Sequence, residues 1–524
     1  MSGTPVGTFC LVLHSHLPLL ARHGRWPVGE EWLYQSWAHS YLPVVATLRE
    51  LADEGRTGLA TLGVTPVLAA QLDDPHCLRG VHDWLGGWTL RAHSAAGRLP
   101  DLAAHEHRVS TAATAEFERH WRHGGSPALR GLRDSGAVEL LGGPAAHPFQ
   151  PLLDPRVRAF SLRAGLDDHA LRLGARPAGI WAPECGFAPG MEHDYAAAGV
   201  HRFLVDGPAL RGDTAFARPV GTSDVVCVGR DLEITYRVWS PRKGYPGSAE
   251  YRDFHTWDHD SGLKPARVTG RRVPTGRKKP YDPALAARAV SRDADDFVDT
   301  VVARLRALRA ERGRPALTVA AFDTELFGHW WHEGPAWLAA VLRWLPEAGV
   351  AVRTLGDAVD DGLVGDPVDL RESSWGSGKD WRVWAGPQVA DLVATNAAVQ
   401  SDLLAAPRPG PVRDPLADLL ADQALHALSS DWAFMVSKDS AAGYARSRAA
   451  LHAGRVAELS GLLRAGRRRA ARRRVATWVD APLPTFGHVD ARDLSGHAAA
   501  TLPPASGHVD AGPGAGLTAN SLTR

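Results

Sequence analysis

The chain has 524 residues, 44% hydrophobic and 22% charged, enough to bury a large core and to hold more than one structural unit. Lys plus Arg number 59 against 58 Asp plus Glu, and this balance of +1 excludes a global pull toward nucleic acid or an anionic membrane. The first residues run from a short apolar stretch straight into histidines, and no later run approaches the ~18 to 20 apolar residues that span a bilayer, so a cytoplasmic protein is expected.

Cys10, Cys77, Cys185 and Cys227 are scattered without a CxxC pair, which suggests neither a disulfide framework nor a cysteine zinc site and fits a reducing compartment. Cys185 adjoins Glu184 but reads as a small buried hydrophobe rather than a nucleophile. The 18 Trp exceed the 13 Phe and 8 Tyr, and broad indole faces suit both a core and stacking on sugar rings.

From residue 7 to about 355, short apolar runs alternate with stretches of helical period, the pattern of a parallel sheet covered by helices. Strands are expected at 8–13, 59–65, 138–142, 179–182, 202–205 and 317–322, several ending in a polar residue: His14, Glu184, Asp323. Such strand ends are where α/β barrels build their sites. In LHSHLP, alternation puts His14 and His16 on one side, a possible metal pair that lacks an evident third ligand, so imidazoles facing sugar hydroxyls are preferred. GIWAPECGF sets Glu184 just past an apolar strand, and VAAFDTELFGHWWHEGP sets Asp323 at the end of another. Either carboxylate could be a helix cap; together they fit the retaining glycosidase pair, with carboxyl groups about 5 to 5.5 Å apart.

Residues 206–285 break the pattern with Gly, Pro, charge and aromatics, and read as a lid or binding insert within a catalytic domain spanning 1–395. Residues 396–479 turn helical, with an Arg run at 464–474 that reads as a solvated helix face rather than a nucleic-acid patch. The stretch 480–524 lacks periodicity and is expected to be a disordered tail.

LHSHLP, GRWPVGEEWL, LLGGPAAHPFQPLL, GIWAPECGF, AAFDTELFGHWW, ESSWGSGKDWRVW and SSDWAFM, in that order, resemble the signature segments of glycoside hydrolase family 57, specifically its 1,4-α-glucan branching enzymes. The resemblance implies an α/β fold, an incomplete seven-stranded (β/α) barrel with an inserted subdomain and a C-terminal α-helical domain. It implies Glu184 as nucleophile and Asp323 as acid/base, acting on an α-glucan such as amylose or glycogen without metal or organic cofactor. His14, His16 and His147 match residues lining the sugar site. Trp26, Trp32, Trp375 and Trp384 match aromatics that stack glucose units, and Arg267, Gly276 and Asp431 match further substrate contacts. Tyr245, flanked by glycines in KGYPG, is the expected lid tyrosine. The segment GGPAAHPFQPLL, around His147, departs from the family's more usual Thr-Cys-Ala-Ala-Thr-His-Gly-Tyr-like run, and the stretch from Arg267 to Asp323 is shorter than in archaeal-type members. An α-glucan hydrolase on the same scaffold and a metal-dependent carbohydrate deacetylase are the alternative activities. A monomer or small homo-oligomer is expected.

Overall fold

The computed structural model describes residues 5–240, 243–407, 410–478 and 484–495. Nine strands occur in chain order: β1 Thr8–Ser15, β2 Ala60–Val64, β3 Val138–Leu141, β4 Gly179–Ile180, β5 Arg202–Asp206, β6 Arg218–Pro219, β7 Val226–Arg230, β8 Leu317–Asp323 and β9 Ala351–Val352. One sheet runs β3, β2, β1, β8, with β9 pairing the start of β1; the other runs β4, β5, β7, β6. All pairings are parallel except that of β6 with β7. A parallel bridge between Gly142 and Ile180 joins β3 to β4, and the Asp231 N–H donates to the Val319 carbonyl at 2.9 Å to join the end of β7 to β8. Strands β1, β2, β3, β4, β5, β7 and β8 therefore follow one another around a closed path.

Strand β1 is buried at every position, TFCLVLHS, because it has neighbours on both edges and packing on both faces. Buried parallel strands read as continuous apolar runs rather than alternating ones, which is why this one was legible. Strand β7 was not expected. VCVGR is equally apolar and buried, but it sits within the polar, Pro- and Gly-rich stretch assigned to the 206–285 insert. The irregular segment thus starts after the helix Leu232–Val238, and the first part of the expected insert is sheet.

A larger helical excursion lies between β2 and β3, where the helices Pro75–Ala95 and Pro100–Glu116 pack together. The loop that follows β7 rests on this pair through Arg98 to Asp258 and the buried Arg252 to Glu106 ion pair. The chain returns to the sheet through the 30-residue helix Pro283–Arg312. Its start is set by Asp282, whose carboxylate accepts from the N–H groups of Ala284 and Leu285, and its end by Gly313 at φ 69°.

Beyond residue 389 the described chain is helical: Ala390–Leu404, Pro415–Ala427, Ser430–Ser437, Ala442–Arg464 and Arg468–Val475. The Arg-rich helix has Ala471 as its buried residue, and Arg468 and Arg474 pair with Asp414 and Glu458. The expected tail from 480 onward needs correction. Residues 484–495 pack against these helices, with Phe486, Val489 and Ala491 buried in the same apolar cluster. The Phe486 and Ala491 N–H groups donate to the Asp422 and Asp418 carboxylates at 3.0 and 2.8 Å. Composition misled because a few apolar side chains anchor a segment that has no period of its own. The remainder of that expectation, 480–483 and 496–524, lies outside the described residues. No helix among the described residues is long and apolar enough to cross a membrane.

Phe486→Ala, which empties a fully buried ring site, should destabilise the fold by about 3–5 kcal/mol. Thermal unfolding checks this; a midpoint within 1 °C of wild type would show that the segment contributes no packing.

Candidate active site

Segments at the C-terminal ends of β1, β3, β4, β7 and β8, the loop that carries Trp375 and the start of the helix Ser430–Ser437 meet at one cavity of about 660 Å³. It is lined by His14, His16, Trp32, His147, Glu184, Asp323, Trp375 and Asp431 among the expected site residues. Asp323 closes β8 and lies in register with His14 on β1. Glu184 follows β4 in the turn Pro183–Cys185, at φ 60°, ψ 18°. Cys185 and His147 also hold positive φ, 50° and 55°. Non-glycine residues take this conformation at a cost, and such outliers concentrate where a side chain must be aimed. The turn at Glu184 is braced from behind. A side chain at Gly186 would meet the Phe149 ring at 2.7 Å, and that ring stacks on Trp384 at 4.4 Å.

The Glu184 carboxylate accepts two hydrogen bonds, from Trp375 Nε1 at 2.9 Å and from the Ser430 hydroxyl at 2.9 Å. Because an ionised carboxylate can only accept, the hydroxyl proton is committed to it, and His147 Nδ1–H must donate to Ser430 Oγ at 3.0 Å. His147 Nε2 is then an acceptor for His14 Nε2–H at 3.2 Å. Burial, and then the neighbouring His16, hold His14 well below the ordinary histidine range, and burial with both neighbours does the same to His147, so the relay is made of neutral imidazoles. His14 lies flat on Trp181, centroids 4.3 Å apart, and His16 on His147 at 3.8 Å. His16 behaves oppositely. Burial disfavours its charge, but the Asp431 carboxylate 2.9 Å from Nε2 outweighs that and raises its pKa above the ordinary value.

Burial pushes both carboxyls upward, Glu184 to about 7 and Asp323 to about 6, the latter held back by the charges of Arg230 and His16. Asp323 accepts no hydrogen bond from a described side chain, so its oxygens are free to exchange a proton with a ligand. Glu325, two residues on, accepts from the Tyr41 hydroxyl and the His16 N–H, and burial raises it to about 8. Arg230, at the end of β7, is paired with Asp206 at 2.8 Å and lies 5.3 Å over the Trp375 ring. His16, His147 and Asp431 offer donor atoms within 4.8 Å of one another that could hold a metal ion. The contacts just described already engage each of them.

Five expected residues lie elsewhere. Tyr245 is buried, its hydroxyl donating to Asp296 and its ring packed near Phe297 and Trp337, so it is a core residue and not a lid. Trp384 is 2% exposed and props the Glu184 turn instead of facing a ligand. Arg267 donates to the Ala249 carbonyl within the loop after β7, and Gly276 sits on an exposed turn with open space around it. Trp26, 75% exposed, lines a neighbouring cavity. Sequence reasoning missed Ser430 and Arg230 as site residues. Ser430 was readable as the residue before Asp431 in SSDW, and Arg230 as the polar end of the unrecognised strand.

The match to the model for glycosyl hydrolase family 57 spans residues 10–251, and that for the C-terminal region of 1,4-α-glucan branching enzymes spans 396–493. A probable 1,4-α-glucan branching enzyme of Mycobacterium tuberculosis is 59% identical over 522 residues, covering 94% of this chain and 99% of that one. The branching enzyme structure from Pyrococcus horikoshii superposes with a TM-score of 0.85 at 28% identity, covering 93% and 95%. The α-amylase AmyC of Thermotoga maritima gives 0.79 at 25% identity, covering 94% and 100%. With near full-length identity of this order, and with the family's WAPECG and FDTELFGHWW segments converging on a single cavity, the chain belongs to glycoside hydrolase family 57, among its 1,4-α-glucan branching enzymes.

Proposed function

We propose that the chain is a retaining 1,4-α-glucan branching enzyme, with Glu184 attacking the anomeric carbon and Asp323 first protonating the leaving oxygen and then taking the proton of an incoming 6-hydroxyl. The reading includes an incomplete barrel of seven βα units within 1–395, a C-terminal helical domain and a cytoplasmic setting. The observation that carries it is the difference between the two carboxylates of one cavity. The Glu184 carboxylate accepts from two donors, and Asp323 is half-buried without a side-chain donor. A nucleophile must be ionised to attack and an acid must hold a proton. The division rests on the two donors that favour the Glu184 anion and not on the order of the pKa values, which burial places at about 7 for Glu184 and about 6 for Asp323. In the first step the C1–O bond to the departing chain breaks as the C1 bond to Glu184 forms. In the second that ester bond breaks as C1 bonds to O6, and the hydroxyl proton goes to Asp323. Trp375, bonded to Glu184 through its indole N–H, and Trp32 on the cavity wall supply stacking surfaces, with His14, His16, His147 and Asp431 as polar neighbours.

Hydrolysis by the same pair is the second reading, favoured by the likeness to an α-amylase structure. Amylose incubated with the enzyme should lose iodine colour while α-1,6 linkages rise by NMR with few new reducing ends. Reducing ends accumulating without α-1,6 signals would replace branching by hydrolysis. Glu184→Gln should lower the rate by about three or more orders of magnitude; a loss below tenfold would remove Glu184 from the nucleophile's role.

The raised pKa of Glu184 carries a stability consequence with a definite sign. A folded-state pKa near 7 against an ordinary 4.5 means that stability from this group is full below about pH 4.5 and is lost as pH rises through 7. Glu184→Gln removes that loss. Its stability relative to wild type should therefore grow by ~1–3 kcal/mol between pH 5 and pH 8, read from denaturation at each pH. A difference that stays flat or shrinks would show that the carboxylate is not buried at a cost.

A further inference from the structure

Beside the active cavity lies a second one of about 520 Å³, and Trp330 lines both. Its walls come from the segment 26–39 after β1, the helical pair between β2 and β3, the loop after β7 and residues 328–332 of the turn after β8. Two of its tryptophans have their indole N–H groups engaged, Trp84 with Glu31 and Trp88 with Glu106, each at 2.7 Å. Opposite them the loop contributes Trp257, 39% exposed, with the Lys264 ammonium 4.7 Å from its ring centroid and 3.7 Å from that of Phe254. On the side nearest the active cavity, Trp330 stacks against Trp239, centroids 5.9 Å apart, and Trp239 lines the active cavity. An aromatic path thus runs from the reacting carboxylates into the second cavity.

Two further features identify its ligand class. His329 is 5% exposed, lines this cavity, and has an Nδ1 without a hydrogen-bond partner, the position of a group awaiting a ligand hydroxyl. Of the lining charges, Arg252 pairs with Glu106, Asp253 with Lys278 outside the wall and Asp258 with Arg98, while Arg91 lies over the Trp84 ring and Lys264 over those of Phe254 and Trp257. A neutral polyhydroxyl chain finds there ring faces for its C–H surfaces and polar edges for its hydroxyls.

We infer that this second cavity holds the acceptor glucan strand during transfer, an inference that rests on the branching reading. The turn that carries Trp330 and His329 begins at Asp323, so a chain seated there approaches from the side of the group that must accept the 6-hydroxyl proton. When the ester between C1 and Glu184 breaks and C1 bonds to O6, that proton passes to Asp323. Holding the acceptor in place is also what lets a hydroxyl compete with water at about 55 M.

Trp257→Ala and Trp26→Ala, on two walls of the cavity and both at exposed positions, test this on amylose with branch points counted by NMR and reducing ends counted together. Circular dichroism and thermal melting confirm that each variant folds. Each should lower the ratio of α-1,6 linkages to new reducing ends at least fivefold, because intermediates that lose their acceptor pass to water. Trp257→Phe, which keeps a ring face, should recover at least half of the wild-type ratio. Parallel loss of both products at constant ratio would assign the cavity to the donor chain and overturn the inference, as would an unchanged ratio with unchanged rates. A wild-type enzyme that forms no α-1,6 linkages would overturn the branching reading itself, a result distinct from either of these.

Discussion

The hydrogen bond from the Ser430 hydroxyl to the Glu184 carboxylate is the contact on which the site depends, because it ties together parts of the chain 246 residues apart. A carboxylate buried in a protein interior is costly to ionise unless donors replace the water it has lost. Neither the β4 turn nor its own strand supplies them. One donor comes from Trp375 in the loop beyond the last strand, and the other from the first turn of the helix Ser430–Ser437. The Ser430 N–H is fixed in turn by the His147 carbonyl at 3.0 Å. The helical C-terminal region is therefore part of the site's electrostatics rather than an appended module.

That dependence explains why the histidines are arranged as they are. Once Ser430 gives its proton to Glu184, its oxygen must accept from His147, and the proton positions on His147 and His14 follow as links of one chain. Neutral imidazoles are what this chain requires, and deep burial together with the neighbouring histidines keeps them neutral. His16 stands outside the relay, and the Asp431 carboxylate shifts it the opposite way, toward the charged form. Its charge helps to hold the Asp323 pKa from rising further.

What could be read from the sequence follows the same division. Glu184 and Asp323 could be singled out because Asp323 ends a buried apolar strand and Glu184 stands in the turn that follows one, and a strand end has a defined direction. His14 and His16 were legible for the same reason. Tyr245 was misread because glycine neighbours signal mobility only if the side chain between them has nowhere to bury, and here Asp296, Phe297 and Trp337 form a place for it. Trp384 was placed at the glucan from a resemblance, but whether an indole faces ligand or protein depends on what packs behind it, here Phe149. The segment 484–495 and strand β7 escaped notice for one shared cause: a short apolar motif inside a polar, Gly- and Pro-rich stretch is outvoted by its surroundings.

Transfer and hydrolysis share every step up to the covalent intermediate, so the branching activity must be decided by what surrounds the two carboxylates and not by the carboxylates themselves. Strands β4 and β8 place the pair, and the amylase structure superposes on 94% of this chain. What separates the two outcomes must then lie in the side chains that face an incoming acceptor, and those that line the two cavities come in part from the helical pair after β2, the irregular loop after β7 and the C-terminal helices. The first two are locked to each other by the buried Arg252 to Glu106 pair and by Arg98 to Asp258, and they meet the barrel at Trp330. An acceptor site built on such locked elements is preorganised, so little ordering cost is left to the moment of transfer. Water needs no such site, and a 6-hydroxyl gains over it only to the extent that this scaffold stays rigid.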